Sequence, residues 1–425
     1  MIFQKSKKQI IPKSIERLLR LESPDIEFPL IEKSMLNLLE EIAAQISEEY
    51  ELDGSVPKAV FFHGSNCDTS FRPNKKEIFI CINLNDKCFL DYVFENKKRE
   101  QFAVGALGRL KSLIAEKYLY SKKGILFSLV FAYENIPPFL LSEIPYSDKQ
   151  SWFSEFLTFY FDGIKEDKIN KVSHCFDYLH EVAHVIEKTK PELLLNFEQV
   201  VDDEFKRYID ANPSLEAIKG HAKNLGWEES ITPELYDEIT GKNLKESVER
   251  FPFIRKEILC DLFATNYLLK FSKDMGLSYW ELLKIVHAKL NSHHLRIIVN
   301  RITDQLNLID VIYGDEKLDT EKLDVYWGDI FDRTRIATDF LLSFVMDSGK
   351  EKLKEKGHMH IDLVRTLNQV YLEAFLLPLL NIIPNFIVFA TDKLKNEPYR
   401  NSMEYFIENL GNKNLAGFVK KPSFI

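Results

Sequence analysis

The sequence predicts an α+β protein with a small N-terminal sheet and a predominantly helical C-terminal part. Short β-branched and aromatic runs cluster between residues 58 and 133, whereas helical spacing of apolar residues dominates from residue 151 almost to the end. The scale fits: 425 residues, 45% of them hydrophobic, suffice for two or three domains around at least one large core.

Taken in order, IERLLRL predicts a first helix. A second follows where Ile31, Met35, Leu38, Leu39, Ile42 and Ile46 recur at helical spacing. KAVFFHG (58–64) and EIFICINL (77–84) predict strands, with the polar SNCDTSFRPNKK between them as a loop. ILFSLVFAY (125–133) fits a third strand and a buried helix equally well. Further helices are predicted at 170–189, 191–209, 253–273 and 278–303. Polar or proline-containing stretches at 137–150 and 313–324 divide the chain into an N-terminal α/β region (1–150), a helical middle region (151–312) and a helical C-terminal region (313–425). Residues 371–390 are apolar over about the length of a membrane span. They also contain Glu373, Asn381, Asn385 and two prolines, and the cost of polar groups in hydrocarbon favours a buried helical hairpin or core segment.

Composition removes several function classes. Lys plus Arg number 56 against 65 for Asp plus Glu, a net charge of −9, so no broad basic field exists for non-specific nucleic-acid binding. The five cysteines are odd in number, scattered and without a CxxC pair. This points to a reducing compartment and away from a disulfide framework or a thiolate zinc site. The N-terminus is basic but lacks a continuous apolar core and a small-residue cleavage site, so no secretory signal and a cytoplasmic location are expected.

The chemical signal lies in FDYLHEVAHVIEK, residues 176–188, which places His180, Glu181 and His184 in the order H-E-x-x-H on a predicted helix. Histidines four apart lie on one helix face a turn apart, so both rings can reach one Zn²⁺. Glu181, beside the first histidine, is placed to take the proton of a water. From residue frequencies, chance alone gives roughly 0.02 such matches in a chain of this composition. Phe176, Leu179, Val182, Ala183 and Ile186 make the rest of the segment apolar, and two histidines and a glutamate on a buried helix are costly unless used.

A zinc hydrolase site needs a third protein ligand and an open position for water. RKEILCDLFATNYLLKF places Glu257 and Asp261 at i and i+4 on a strongly amphipathic helix. Two carboxylates so placed repel each other. A role as metal ligand for one, and as acceptor for the free N–H of a ligand histidine for the other, would resolve that repulsion. Glu198 and Asp202 have the same spacing and form an alternative pair, although they stand in the charged run Asp202-Asp203-Glu204 that reads as a solvated face.

HEVAH followed by EILCDLFA resembles the gluzincin metallopeptidases, whose pattern is HExxH, a variable insertion, and ExxxD on a second helix. The resemblance covers about a tenth of the chain and implies a zincin-like catalytic core. It also implies one Zn²⁺ per chain on His180, His184 and Glu257, with Glu181 as catalytic base and Asp261 orienting His180. The interval to Glu257 is long for the family, so residues 190–250 must fold aside as an insertion. In similar enzymes a histidine and a downstream arginine follow the second helix, which makes His293 or His294, in NSHHLRIIVNRI, the candidate oxyanion donor. Tyr267 is a further candidate, although an aromatic at that spacing also suits a core. By analogy of fold, EIFICINL is expected to be the edge strand along the cleft, with 79–83 lining it.

The implied activity is that of a metalloendopeptidase acting on a protein or peptide substrate, with neither nucleic acid nor membrane as partner. The chain looks most like cytosolic bacterial peptidases such as the phage-exclusion enzymes of the Lit type and the repressor-cleaving enzymes. These would make it a regulatory or defence protease. The alternative is a non-catalytic zincin-like binding or scaffold protein. Cys175 and Cys260, beside the motif residues, are expected to be small core residues. The remaining histidines, His63, His174, His221, His287, His358 and His360, have no ligand partner at useful spacing.

Overall fold

The structure, a computed structural model, describes residues 6–23, 26–50, 57–64, 69–74, 77–84, 164–210, 252–291 and 383–419, with isolated positions between them. These form strands β1 (Ser6–Lys7) and β2 (Ile31–Glu32), helices α1 (Lys13–Glu22) and α2 (Lys33–Glu49), and strands β3 (Lys58–Phe62), β4 (Ser70–Asn74) and β5 (Glu77–Asn83). Helices α3 (Glu166–Thr189), α4 (Leu195–Asp210), α5 (Pro252–Phe271), α6 (279–291), α7 (Ile383–Lys395) and α8 (Glu397–Val419) follow. The described part is thus α+β, mostly helical, with one three-stranded sheet and a two-stranded ribbon of β1 and β2. The predicted boundaries at 137–150 and 313–324 lie outside the described residues. Leu126, Ser128 and Leu129, in the segment that fitted strand or helix, are helical and buried.

The sheet order is β3-β5-β4, with β3 parallel and β4 antiparallel to β5. This corrects the sequence reading twice. The presumed loop contains a strand, and EIFICINL forms the central strand instead of the edge. Its Phe79, Ile80, Cys81 and Ile82 are at most 3% exposed, so residues 79–83 line no cleft. A continuous apolar run is what a strand covered on both faces requires. Alternation sends Val60, Phe62, Phe79 and Cys81 to one face, against Ile15 and Leu19 of α1. Phe61 points the other way and meets the His174 ring of α3 edge-on at 5.5 Å. Gly64 closes β3 where a side chain would crowd Ile26 and Phe62 at 3.2 Å.

Helix α3 runs through the middle of this assembly. From Val172 to Ile186 nearly every side chain is buried, and the Tyr178 hydroxyl donates to the Pro57 carbonyl at 2.6 Å, fixing the helix to the start of β3. It stops at Lys190 because Pro191 disfavours helical backbone at the residue before it. Helix α5 packs along α3 and is equally enclosed: Ile258, Leu262, Phe263, Ala264 and Leu268 are fully buried. The strong amphipathicity expected of this helix is therefore absent, since a helix covered all round needs no polar face. Each large apolar side chain so buried contributes about 1.5–3 kcal/mol.

A turn at 272–276 ends α5, with Gly276 at φ 64°, where other residues are strained. Ser278 and Glu281 then start α6 as a reciprocal cap. The Ser278 N–H donates to Glu281 Oε2 at 2.7 Å, and the Glu281 N–H donates to the Ser278 hydroxyl at 3.2 Å. Lys168 of α3 ties this turn down, donating to the Gly276 carbonyl at 2.6 Å and to Glu281 at 3.1 Å. Among the described residues, no helix is long and apolar enough to cross a membrane.

Candidate metal centre

The site forms where α3 and α5 cross beside β4. His180 and His184, one turn apart on α3, turn their Nε2 atoms toward the same point, 3.2 Å from each other. From α5, Glu257 closes the triangle: Oε2 lies 3.3 Å from His180 Nε2 and Oε1 lies 3.2 Å from His184 Nε2. The opposite ring nitrogens are also held. His180 Nδ1 is 2.9 Å from Asp261 Oδ1, and His184 Nδ1 is 3.3 Å from Cys260 Sγ. Asp261 and Cys260 are both completely buried. One face of α5 thus supplies residues 257, 260 and 261, the i, i+3, i+4 set that a helix brings together.

Glu181 turns to the sheet. Its Oε2 accepts the Phe71 backbone N–H of β4 at 3.0 Å, and one of its carboxylate oxygens lies within 4.8 Å of donor atoms of both histidines. A Phe71 N–H directed at α3 cannot also serve the ladder to β5, so alternation turns Pro73 outward as well, where its missing N–H costs no ladder bond. Two contacts hold β4 in place. Arg72 grips Glu22 of α1 with two bonds of 2.7 and 2.6 Å, and the Lys188 ammonium of α3 sits 5.4 Å above the Phe71 ring.

Electrostatically the site calls for a cation. Burial alone would lower the pKa of the His180 ring, but hydrogen bonds to Asp261 and Glu257 reverse this and push it up to about 10. Burial raises the Glu181 carboxyl and Glu257 adds to the rise, against the pull of the two histidines and the Phe71 N–H. Three carboxylates beside two imidazoles give the site an excess of negative charge that a bound cation would offset. His180, Glu181 and His184 form a group that could hold a metal ion. The donor set fits such an ion with Glu257 included. Tetrahedral ligands at about 2.0–2.1 Å stand about 3.3 Å from one another; here the two Nε2 atoms are 3.2 Å apart, and each faces a different oxygen of Glu257, at 3.3 Å for His180 and 3.2 Å for His184.

The alternative pair is occupied elsewhere. Glu198 lies 3.7 Å and Asp202 3.1 Å from the Arg255 guanidinium, at the α4–α5 contact. Tyr267 is fully buried, its ring 4.6 Å from that of Phe263 and capped by the Lys270 ammonium at 4.3 Å, as suits a core aromatic. His293, His294, His221, His358 and His360 lie outside the described residues. His63 bridges Glu27 through its backbone, and His287 Nδ1 lies 3.4 Å from the Asn291 amide. Cys175 is a buried core residue as expected.

Two contacts escaped the sequence reading, that of Phe71 with Glu181 and that of Cys260 with His184. The first could have been sought in the alternation of Phe71 and Pro73 between two firm strands. The second could have been sought in the position of Cys260, three residues after Glu257 on the same helix face. Compared with known protein families, curated proteins and solved structures, the chain matches none.

Proposed function

We propose that the chain is a zinc-dependent metalloendopeptidase with a zincin-like catalytic core of gluzincin type. The observation that carries this is the convergence of His180 Nε2, His184 Nε2 and the Glu257 carboxylate, with a Glu181 carboxylate oxygen within 4.8 Å of the same histidine donors. Two imidazoles and one carboxylate are a donor set suited to zinc. A site for structure alone has no use for an additional carboxylate held beside the metal position. When bound, zinc would polarise the scissile carbonyl and acidify water.

The protein's own groups do the rest. Asp261 accepts the His180 Nδ1–H and so keeps Nε2 directed at the metal position. Glu181 takes the proton of the attacking water and returns it to the leaving amine, a task that its raised pKa suits. Among the described residues β4 is an outer strand of the sheet and runs beside Glu181; Phe71 gives its N–H to Glu181 and Pro73 has none, so an extended peptide along this edge would be held by donating its N–H groups to the outward carbonyls of β4. This supports a polypeptide substrate.

The test pairs elemental analysis with hydrolysis of unstructured proteins by wild type, Glu181→Gln and His180→Ala. Wild type and Glu181→Gln should each carry about one zinc per chain, with hydrolysis lost in Glu181→Gln, and His180→Ala should lose both. Undiminished hydrolysis by Glu181→Gln would overturn the reading. Zinc absent from the wild type after zinc-replete purification would leave a binding or scaffold protein.

A further inference from the structure

We propose that Cys260 is a positioning residue for the metal centre, whose thiol sulfur accepts the His184 Nδ1–H and holds that ring in the tautomer that presents Nε2 to a divalent ion. The inference rests on the reading of the site as a metal centre and extends it to a residue that the sequence marks only as a small apolar one.

Tautomer and geometry together assign this role. A neutral imidazole has one N–H and one lone pair, so a ring that offers Nε2 to a metal carries its proton on Nδ1 and needs an acceptor there. For His180 that acceptor is the Asp261 carboxylate at 2.9 Å. For His184 the structure places the Cys260 sulfur at 3.3 Å, an ordinary N–H···S separation. The placement is built into the fold. Residues 260 and 261 are adjacent on α5, each in contact with one histidine of α3, and both are fully enclosed, while the His180 and His184 side chains are only 11% and 19% exposed.

The two supports differ in kind. A carboxylate binds an imidazole N–H through a charge-assisted bond, while a neutral thiol is a weak, polarisable acceptor. His180 is therefore the firmly anchored ligand and His184 the softer one. Removing the Cys260 acceptor should lower metal affinity by about tenfold, the low end of the 10–100-fold range for loss of such a partner. Removing the Asp261 acceptor should cost more.

The experiment measures zinc affinity by competition with a chromogenic chelator, and the visible spectrum of the cobalt(II)-substituted protein, for wild type, Cys260→Ser, Cys260→Ala and Cys260→Val. Serine keeps an acceptor, whereas alanine and valine remove it while leaving or filling the volume. The expected result is near-wild-type affinity and cobalt spectrum for Cys260→Ser, with about tenfold weaker zinc binding and altered cobalt bands for Cys260→Ala and Cys260→Val. Thermal unfolding of the metal-free proteins shows which variants fold, and Cys260→Val serves if Cys260→Ala does not. Equal affinity in all four proteins overturns the inference and leaves the metal-centre reading intact. Equal loss in all three variants assigns Cys260 to packing alone and also overturns it. A wild type that binds neither zinc nor cobalt overturns the metal-centre reading itself, and the inference with it.

Discussion

Glu257 and Asp261 on α5, and Glu198 and Asp202 on α4, share one spacing, i and i+4, and by spacing alone either pair could complete a site begun by two histidines. The structure gives them opposite surroundings. Asp261 is completely buried and bonded to His180, and Glu257 faces both histidines, whereas the Asp202 side chain is 62% exposed and answers Arg255. Arg255 stands only two residues before Glu257, so α5 carries a cation toward α4 on one face and carboxylates toward α3 on another. Spacing places groups on a face, and the neighbour of that face decides whether they form a surface ion pair or a metal centre.

The largest expected effect tests this contrast directly. Glu257→Ala should weaken zinc binding by more than about 100-fold, exceeding what loss of a hydrogen-bond partner to a ligand costs, while Glu198→Ala should bind zinc as wild type does. Isothermal titration with zinc on the two metal-free proteins makes the comparison. Wild-type affinity in Glu257→Ala would break it, and weakened binding in Glu198→Ala alongside would pass the ligand role to Glu198.

A second test moves the contrast from metal to stability. Lys289 of α6 is 1% exposed and bonds Asp177 of α3 at 2.8 Å, and burial raises the Asp177 carboxyl in spite of that ammonium. Removing one partner of a buried pair strands the other, so Lys289→Met should destabilise the fold by about 3–5 kcal/mol. Removing Arg255 from its exposed carboxylates should cost less than about 1 kcal/mol. Denaturant unfolding reads both. A cost below about 1 kcal/mol for Lys289→Met would show that α6 does not seal Asp177 from water.

The legibility of the chain follows the same division. HEVAH and EILCD could be read because a helix fixes the neighbourhood of residues three and four apart without reference to the rest of the fold. The strands at 58–62 and 77–83 could be read from their apolar runs, but the place of each in the sheet could not. Edge and centre are set by long-range pairing, and a strand buried on both faces looks alike in either place. β4 hid because Arg72, Pro73 and Asn74 carry loop chemistry, and Pro73 is tolerated only because its backbone turns away from β5. The contact of Cys260 with His184 depends on how α3 and α5 cross, which periodicity within either helix leaves open.

The smallest effect belongs to a carboxylate between these extremes. The Glu281 side chain is 21% exposed, neither sealed like Asp261 nor open like Asp202. Burial acts to raise its pKa, but the Ser278 N–H and hydroxyl and the Lys168 ammonium outweigh it, so the carboxyl is held below its ordinary value of 4.5. A lowered carboxylate contributes stability that is present above the unfolded-state value and disappears as the pH falls through the folded-state value. Glu281→Gln should therefore cost about 0.5–1 kcal/mol at neutral pH, within the range of helix-cap substitutions. That deficit relative to wild type should shrink as the pH drops below 4.5. A deficit unchanged between pH 7 and pH 3, by thermal unfolding, would mean that the ionised carboxylate does not hold the start of α6. The support that this helix gives to α3 would then come from apolar packing and the Lys289–Asp177 pair.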